Sequence, residues 1–501
     1  MAATGPGGVE RLRWAGFTGS VALTLGSWVW LGSDWPSEAG TVALAVCVGG
    51  MLLVLLSWAL LGRGPVTGEG LPDERWLRRT LALWAAPLLL APALFSRDVY
   101  SYLAQGEVAA RGLNPNTVDP LLAMGELAAP VNRVGEHWQA TPSPYGPLTS
   151  TLQRLVTEVT GGDMVAGVLL HRLLALVGLA LAVWALARLA EVAGASARTA
   201  LWLGALNPLV LWHLVAGAHN DSLMLGLMLA GTALSLTALP PAARTSTALS
   251  STVPSPAVPP ERVAWVPFTA GVLLVCLGAE VKLPALLALA VVGTALARSL
   301  GGGWARFLAA GAGMGAVFAA VSVAVCLPTG LGLAWIGALG TSGEVTSWMA
   351  PTSWPGFLAG GVGSAFGADI TQTALAVTKA IGYAVALAAI GCVLLRQLRG
   401  GLGPVPALAA IMAALVAFGP VVQPWYLLWA ALPVAACATT PRLRAWTAGV
   451  CALVALLVPP LAGDFSGAVA PLVTGYLLGL LAVAACLPLL LRTRRLAPVR
   501  A

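Results

Sequence analysis

Long apolar runs separated by short polar punctuation dominate the chain. Runs long enough to cross a bilayer as helix, which takes about 20 residues, fall at 14–32, 41–61, 76–95, 164–190, 199–216, 222–239, 263–279, 283–299, 304–326, 372–395, 405–419, 424–439, 445–461 and 468–491. The pattern predicts an all-α polytopic membrane protein of about 13–14 transmembrane helices, with residues 1–501 forming one transmembrane domain. Two long stretches between runs, 96–162 and 328–370, mix aromatic residues, prolines and charges. The first also has enough Leu and Val for short amphipathic helices, so an ordered loop is expected, and ordered loops of that length are uncommon without a function. The stretch "PPAARTSTALSSTVPSPAVPPER", 240–262, is rich in Pro, Ser, Thr and Ala and reads as a disordered linker.

Composition agrees with this picture. The chain is 58% hydrophobic and 9% charged, with a mean hydropathy of +0.85, whereas soluble domains are about 25% charged. If the N-terminus is cytoplasmic, twenty of the twenty-seven Lys and Arg residues flank the inner ends of the fourteen helices. The remainder are Arg97, Arg111, Arg133, Arg154, Arg172, Lys282 and Lys379. Positive charge marks the cytoplasmic side, so both termini are expected there, and 96–162 and 328–370 are expected on the extracytoplasmic face. The pI near 9.3 then reflects topology and not a nucleic-acid surface. The first run, after "ERLRW", is longer than a signal-peptide core and is read as a helix. The seven cysteines lie singly in apolar runs, which indicates neither a zinc site nor a disulfide framework.

Unusual polar residues collect at the expected outer boundary. Arg97 and Asp98 end the third run in "FSRDVYSYLAQGE", His219, Asn220 and Asp221 form a turn in "VAGAHNDSLML", and Glu280 and Lys282 interrupt the apolar run in "GAEVKLPAL". Gln423, Trp425 and Tyr426 open a helix in "GPVVQPWYLLW", and His171 and Arg172 lie in the upper layer of the fourth helix. Ionisable groups at membrane depth cost several kcal/mol unless paired or solvated, which makes them functional candidates. Each has a structural alternative: Asn220 or Asp221 could cap a helix, Glu280 could pair with Lys282, and Trp348, Trp354, Trp425 and Tyr426 could belong to an interfacial aromatic belt. A carboxylate within reach of a hydroxyl can serve as general base, and cations can stabilise a phosphate leaving group. Asp98 as base, with Lys282 and Arg172 at the phosphate, fits a transfer reaction at a membrane surface.

"FSRDVYSYLAQGEVAARGLNPNTVDP" followed by "EHWQATPSPYGPL" resembles the signature of the actinobacterial polyprenyl-phosphomannose-dependent α-1,6-mannopyranosyltransferases, membrane glycosyltransferases of the GT-C class. "HNDSLMLGLMLAG", "EVKLPALLAL" and "QPWYLLW" resemble that family's later helices. The resemblance implies a GT-C fold and transfer of mannose, with inversion, from polyprenyl-phosphate-mannose to the α-1,6-mannan backbone of lipomannan and lipoarabinomannan, a glycolipid acceptor. The enzyme would work at the outer face of the plasma membrane, embedded in membrane lipid. It implies Asp98 as base and assigns Arg97, Tyr100, Tyr102, Gln105, Trp138, Tyr145, Arg172, His219, Asn220, Asp221, Glu280, Lys282, Gln423, Trp425 and Tyr426 to donor or acceptor binding. A lipid phosphodiester carries less charge than a nucleotide diphosphate and the chain has no Asp-x-Asp pair, so no metal or other cofactor is expected. The rival readings are a GT-C transferase for another lipid-linked sugar (arabinofuranose, glucose or protein-linked mannose) and a lipid-linked sugar flippase. A flippase would place its polar groups near the bilayer midplane, and the chain lacks the internal repeat common in transporters.

Overall fold

A computed structural model of the chain describes residues 6–63, 70–245, 262–338, 340, 346–461, 465 and 467–491. Each of the fourteen apolar runs is helical, and among the described residues the one extended pairing is an isolated bridge between Leu94 and Leu461. The protein is all-α. Five helices are individually long and apolar enough to span a membrane: Glu38–Leu61, Met164–Val192, Trp304–Thr329, Thr371–Leu398 and Val469–Pro488. A sixth span is broken, Ala197–Ala205 and Val210–Ala216 meeting at 65°. Sequence periodicity reads 199–216 as one helix, but Pro208 has no amide hydrogen to continue it, and the Asn207 side chain accepts from the Leu209 amide at the break. The run 76–95 likewise shortens to Glu74–Leu88, which carries Pro87 in its last turn. Of the expected linker, Pro241–Arg244 form a short helical turn and residues 246–261 lie outside the described residues.

The chain forms two compact units. The first comprises Met1–Ser96, Leu201–Gly217 and Thr440–Ala501. Its helices Pro6–Leu31 and Glu38–Leu61 pack along their length, and Val469–Leu491 lies against the second of them. Trp58 and Trp202 stack at 5.5 Å, and each donates its indole N–H to the other's carbonyl at 2.9 Å. Such reciprocal bonds satisfy the polar edge of a buried indole.

The second unit comprises Arg97–Ala200 and Ala218–Thr439. At its centre the helix Asp221–Thr237 is almost entirely buried between Met164–Val192 and Trp265–Val281. The first crossing is made at Gly178 against Gly226 and the second at Gly231 against Gly271; a Cβ at any of these would overlap the opposing backbone. Small residues at such crossings let backbones approach, which is how helices in lipid gain packing energy. Segment 96–162 is ordered, with helices Asp98–Ala110, Pro120–Met124, Glu136–Gln139 and Pro147–Thr160. The helix Pro147–Thr160 packs on Asp98–Ala110 and on Trp265–Val281.

Candidate active site

Two aspartates open helices in the second unit, Asp98 in Asp98–Ala110 and Asp221 in Asp221–Thr237. The positive end of each helix dipole favours a carboxylate there. The alternative that Asn220 caps its helix is not met, because Asn220, at the N-cap position, makes no side-chain cap bond, and Arg97 makes none at the start of the other helix. Their surroundings set the two carboxylates apart. Asp221 is fully buried; its oxygens accept from Lys282 Nζ at 3.1 and 2.9 Å, and Oδ1 also accepts from Trp429 Nε1 at 2.7 Å. Additional hydrogen bonds of this kind are what let a buried ion pair offset its desolvation. The Asp98 side chain is 20% exposed, and its Oδ2 lies 3.3 Å from Nδ1 of the buried His219.

Lys282 occupies extended backbone between the helix Trp265–Val281 and the tight turn Leu283–Ala285, a break marked in the sequence by Pro284. Its ammonium stands 4.6 Å from the ring centre of Tyr426, 5.3 Å from Trp429 and 5.8 Å from Tyr145. Aromatic faces attract a cation at such distances. Tyr426 stacks on Trp429 at 4.0 Å, and His219 stacks on Trp425 at 3.9 Å, so one helix start supplies three rings. Ala218, immediately before His219, has φ 52°, a left-handed conformation that costs an L-residue roughly 1–2 kcal/mol.

The "PSPYGP" stretch is fastened to this break. Asn116 Nδ2 donates to the carbonyls of Ser143 and Tyr145 at 2.8 and 3.0 Å, and Ser143 Oγ donates to Gln105 Oε1 at 3.2 Å. Thr149 Oγ1 donates to the Val281 carbonyl at 3.0 Å, and Gly146 lies so close to the Glu280 carbonyl that a Cβ would overlap it. Tyr102 and Tyr145 meet edge to face at 5.7 Å. Burial pushes both phenols well above their usual range, with the Asp98 and Asp221 carboxylates adding to it, so both remain neutral hydrogen-bond donors.

These elements enclose a cavity of about 370 Å³ lined by Asp98, Trp138, Tyr145, Lys282, Gln423, Trp425 and Tyr426. Leu283, Leu415, Val416 and Val421 add an apolar wall, and Tyr383 and Trp429 also line it. A few convergent polar groups in an apolar concavity of this size are typical of a ligand site. Tyr102, His219 and Asp221 do not line it but each touches a residue that does, Tyr145, Asp98 and Lys282 in turn, and Asn220 is bonded to Tyr102. The structure places the other expected residues elsewhere. Arg97 is exposed and outside the lining, and Tyr100 lies under Arg133 at 5.9 Å. Gln105 is buried, accepting from Ser143 and Gln153. Arg172, expected at the phosphate, is buried in the helix Met164–Val192 and does not line the cavity. Glu280 neither pairs with Lys282 nor lines the cavity; it is buried and accepts from Ser322 Oγ. Sequence reasoning missed Trp429, although its place four residues after Trp425 puts both on one helix face, and it missed Tyr383 and Asn116, which no local pattern marks. Among the described residues, no group of three or more His, Cys, Asp or Glu is placed to hold a metal ion.

Two family descriptions match the chain: "Alpha-(1->6)-mannopyranosyltransferase, N-terminal domain" over residues 13–298 and "MptB C-terminal domain" over residues 351–488. The chain belongs to the α-(1→6)-mannopyranosyltransferase family. Accordingly it is a membrane glycosyltransferase. A probable α-(1→6)-mannopyranosyltransferase of Mycolicibacterium smegmatis is 38% identical over 479 residues, covering 91% of this chain and 84% of the relative. An α-(1→6)-mannopyranosyltransferase of Mycobacterium tuberculosis is 39% identical over 496 residues, covering 91% and 83%. α-(1→6)-Mannopyranosyltransferase B of Corynebacterium glutamicum is 36% identical over 416 residues, covering 79% and 65%. No solved structure matches the chain. The family's N-terminal match includes Asp98, His219, Asp221 and Lys282, and the C-terminal match includes Gln423, Trp425, Tyr426 and Trp429.

Proposed function

We propose that this family member transfers mannose from polyprenyl-phosphate-mannose to the primary 6-hydroxyl of a mannosylated glycolipid, extending an α-1,6-mannan at the extracytoplasmic face of the plasma membrane. The observation that carries the reading is the meeting, in one cavity, of a partly exposed carboxylate, an ammonium and several aromatic faces. Asp98 takes the proton of the acceptor hydroxyl as that oxygen attacks the anomeric carbon. The new C–O bond forms as the bond to phosphate breaks, and polyprenyl phosphate leaves with the bonding pair. Lys282 meets the charge that develops on the phosphate. Trp138 and Trp425 offer faces to sugar rings, Gln423 and the neutral Tyr145 offer hydrogen bonds to hydroxyls, and the apolar wall suits the start of the polyprenyl chain. A single displacement on a β-linked donor inverts the anomeric centre and gives the α product.

The leaving group is a phosphomonoester formed from a phosphodiester, and Lys282 supplies a fixed cation, so metal is not required. The test is transfer by the purified protein from radiolabelled polyprenyl-phosphate-mannose to a short α-1,6-mannoside, with and without EDTA. The expected product carries a new α-1,6 bond and forms at the same rate in chelator. Transfer of a different lipid-linked sugar in preference to mannose would overturn the donor assignment. A loss in EDTA restored by Mn²⁺ or Mg²⁺ would overturn metal independence.

A further inference from the structure

The second unit holds another cavity, of about 360 Å³, that shares no lining residue with the first. One wall is a stripe of the helix Pro147–Thr160 made by Ser150, Thr151, Arg154, Leu155 and Glu158. Their spacing of three and four residues keeps them on one face, and eight steps of 1.5 Å make the stripe about 12 Å long. Residues from 109–114 and 328–331 supply the other walls, tied together where Asn114 Nδ2 donates to the Leu331 carbonyl at 2.8 Å. The same stretch of chain links this cavity to the catalytic one. Tyr145, which lines the first, precedes Ser150 by five residues, a reach of at most about 18 Å. All three walls belong to segments that the proposed topology places outside.

The polar groups here offer donors and acceptors without net charge. Arg154 Nε donates to Glu158 Oε1 at 2.7 Å, and the two side chains are 45% and 47% exposed. A guanidinium has five N–H donors and a carboxylate two oxygens, so a pair joined by one bond keeps most of its donors and one oxygen for a ligand. Ser150 is fully buried in the wall, and its hydroxyl has no partner among the described residues. An unmet buried hydroxyl is costly, and a ligand hydroxyl would meet it. Leu113 and Leu155, 39% and 52% exposed, put apolar faces beside these groups. Hydroxyls that donate and accept, on a body with apolar C–H faces, describe a sugar. An anion such as a lipid phosphate finds the guanidinium already neutralised by Glu158.

We propose that this groove is an acceptor subsite, which holds the α-1,6-mannan several sugars behind its accepting end. The proposal rests on the mannan acceptor named above. The catalytic cavity has to take the donor's mannosyl phosphate, the start of its lipid and the accepting sugar, so the rest of the acceptor lies outside it. A glycan that leaves past Tyr145 and follows the helix Pro147–Thr160 meets the stripe. A short acceptor ends before Ser150 and gains nothing from it, whereas a long one gains bonds to Arg154 and Glu158. Acceptor length is then read by binding away from the reacting atoms, and it enters KM rather than kcat.

The test measures acceptor KM for α-1,6-linked mannosides from the disaccharide to the octasaccharide, with the full-length protein in nanodiscs. In the parent, KM should fall about tenfold along the series at nearly constant kcat, the scale of one charge-assisted hydrogen bond. Arg154→Leu removes the donors, and Thr151→Trp fills the groove while leaving the ion pair. Exposed ion pairs add little to stability, so Arg154→Leu should fold normally. In both variants the octasaccharide KM should rise to the disaccharide value, while KM for the disaccharide and for the donor stays within about twofold. A parent without length dependence, or variants that keep it, would overturn the proposal. Equilibrium binding of a fluorescent octasaccharide to the donor-free protein tests the groove without turnover. Binding weakened about tenfold in both variants supports the groove even where mannose proves to be the wrong donor sugar, and equal binding overturns it. Displacement of the probe by inositol phosphate and not by unlabelled octasaccharide would assign the cavity to a lipid headgroup and overturn it as well. A parent that binds the octasaccharide through Arg154 and transfers no mannose to it would support the groove and count against the proposed function.

Discussion

Two carboxylates at two helix starts divide into different tasks through their neighbours. The Asp221 oxygens are committed to Lys282 and Trp429 inside the protein, whereas Asp98 lines the cavity and keeps part of its surface open. Of the two, Asp98 is the one that lines the cavity, as the proposed base must. The Lys282 side chain is 13% exposed, so Asp221→Asn leaves a nearly buried cation without its counter-charge. Breaking a buried pair on one side costs about 3–5 kcal/mol. The expected outcome is a clear drop in melting temperature together with weaker donor turnover. Asp221→Asn combined with Lys282→Met should recover much of the stability and none of the turnover. If the double variant transfers mannose at the parental rate, Lys282 has no part at the phosphate.

At the scale of elements, the cavity depends on a loop locked to a helix break. Gly146 and Thr149 hold the "PSPYGP" stretch against the backbone at Glu280 and Val281, next to Lys282. Gly146→Ala forces a methyl group into the Glu280 carbonyl, and overpacking of this kind costs about 1–3 kcal/mol. Calorimetry should register that loss. Activity should fall with it, because Tyr145 and Lys282 shift together; a fully stable and active Gly146→Ala protein would show that the loop and the break are independent. Much of this was legible in the sequence. The helices follow from apolar run length, Asp98 and Lys282 stand out as charges at apolar edges, and Trp425 and Tyr426 reach the cavity while Trp348 and Trp354 remain exposed, at 65% and 59%. What stayed hidden was pairing across sequence distance. Nothing local says that Lys282 turns to Asp221 and not to Glu280 two residues away, that Ser322 takes Glu280, or that Asn116 holds the loop around Tyr145. The bend at Asn207 and Pro208 was signalled by Pro208 but masked by the apolar run on either side.

At the scale of the whole molecule, every residue that lines the main cavity belongs to the second unit. Its long ordered segment, 97–162, carries few of the chain's basic residues, as the proposed extracytoplasmic placement requires. Leu127, in this segment, is 92% exposed. With Cys392 and Cys486 replaced by serine, Leu127→Cys should react with an impermeant maleimide in intact cells and Arg399→Cys only after lysis. The reverse pattern would place the site on the cytoplasmic face and rule out a donor presented from outside.

If Asp98 is the base of an inverting mannosyl transfer, Asp98→Asn should separate kcat from melting temperature and donor binding when compared with the parent in the purified system. The amide keeps the shape and cannot accept the proton. The expected result is a loss of at least about 100-fold in kcat, within the usual worth of a positioned general base, with folding and donor affinity preserved. An Asp98→Asn protein that folds, binds donor and turns over within about threefold of the parent would contradict it.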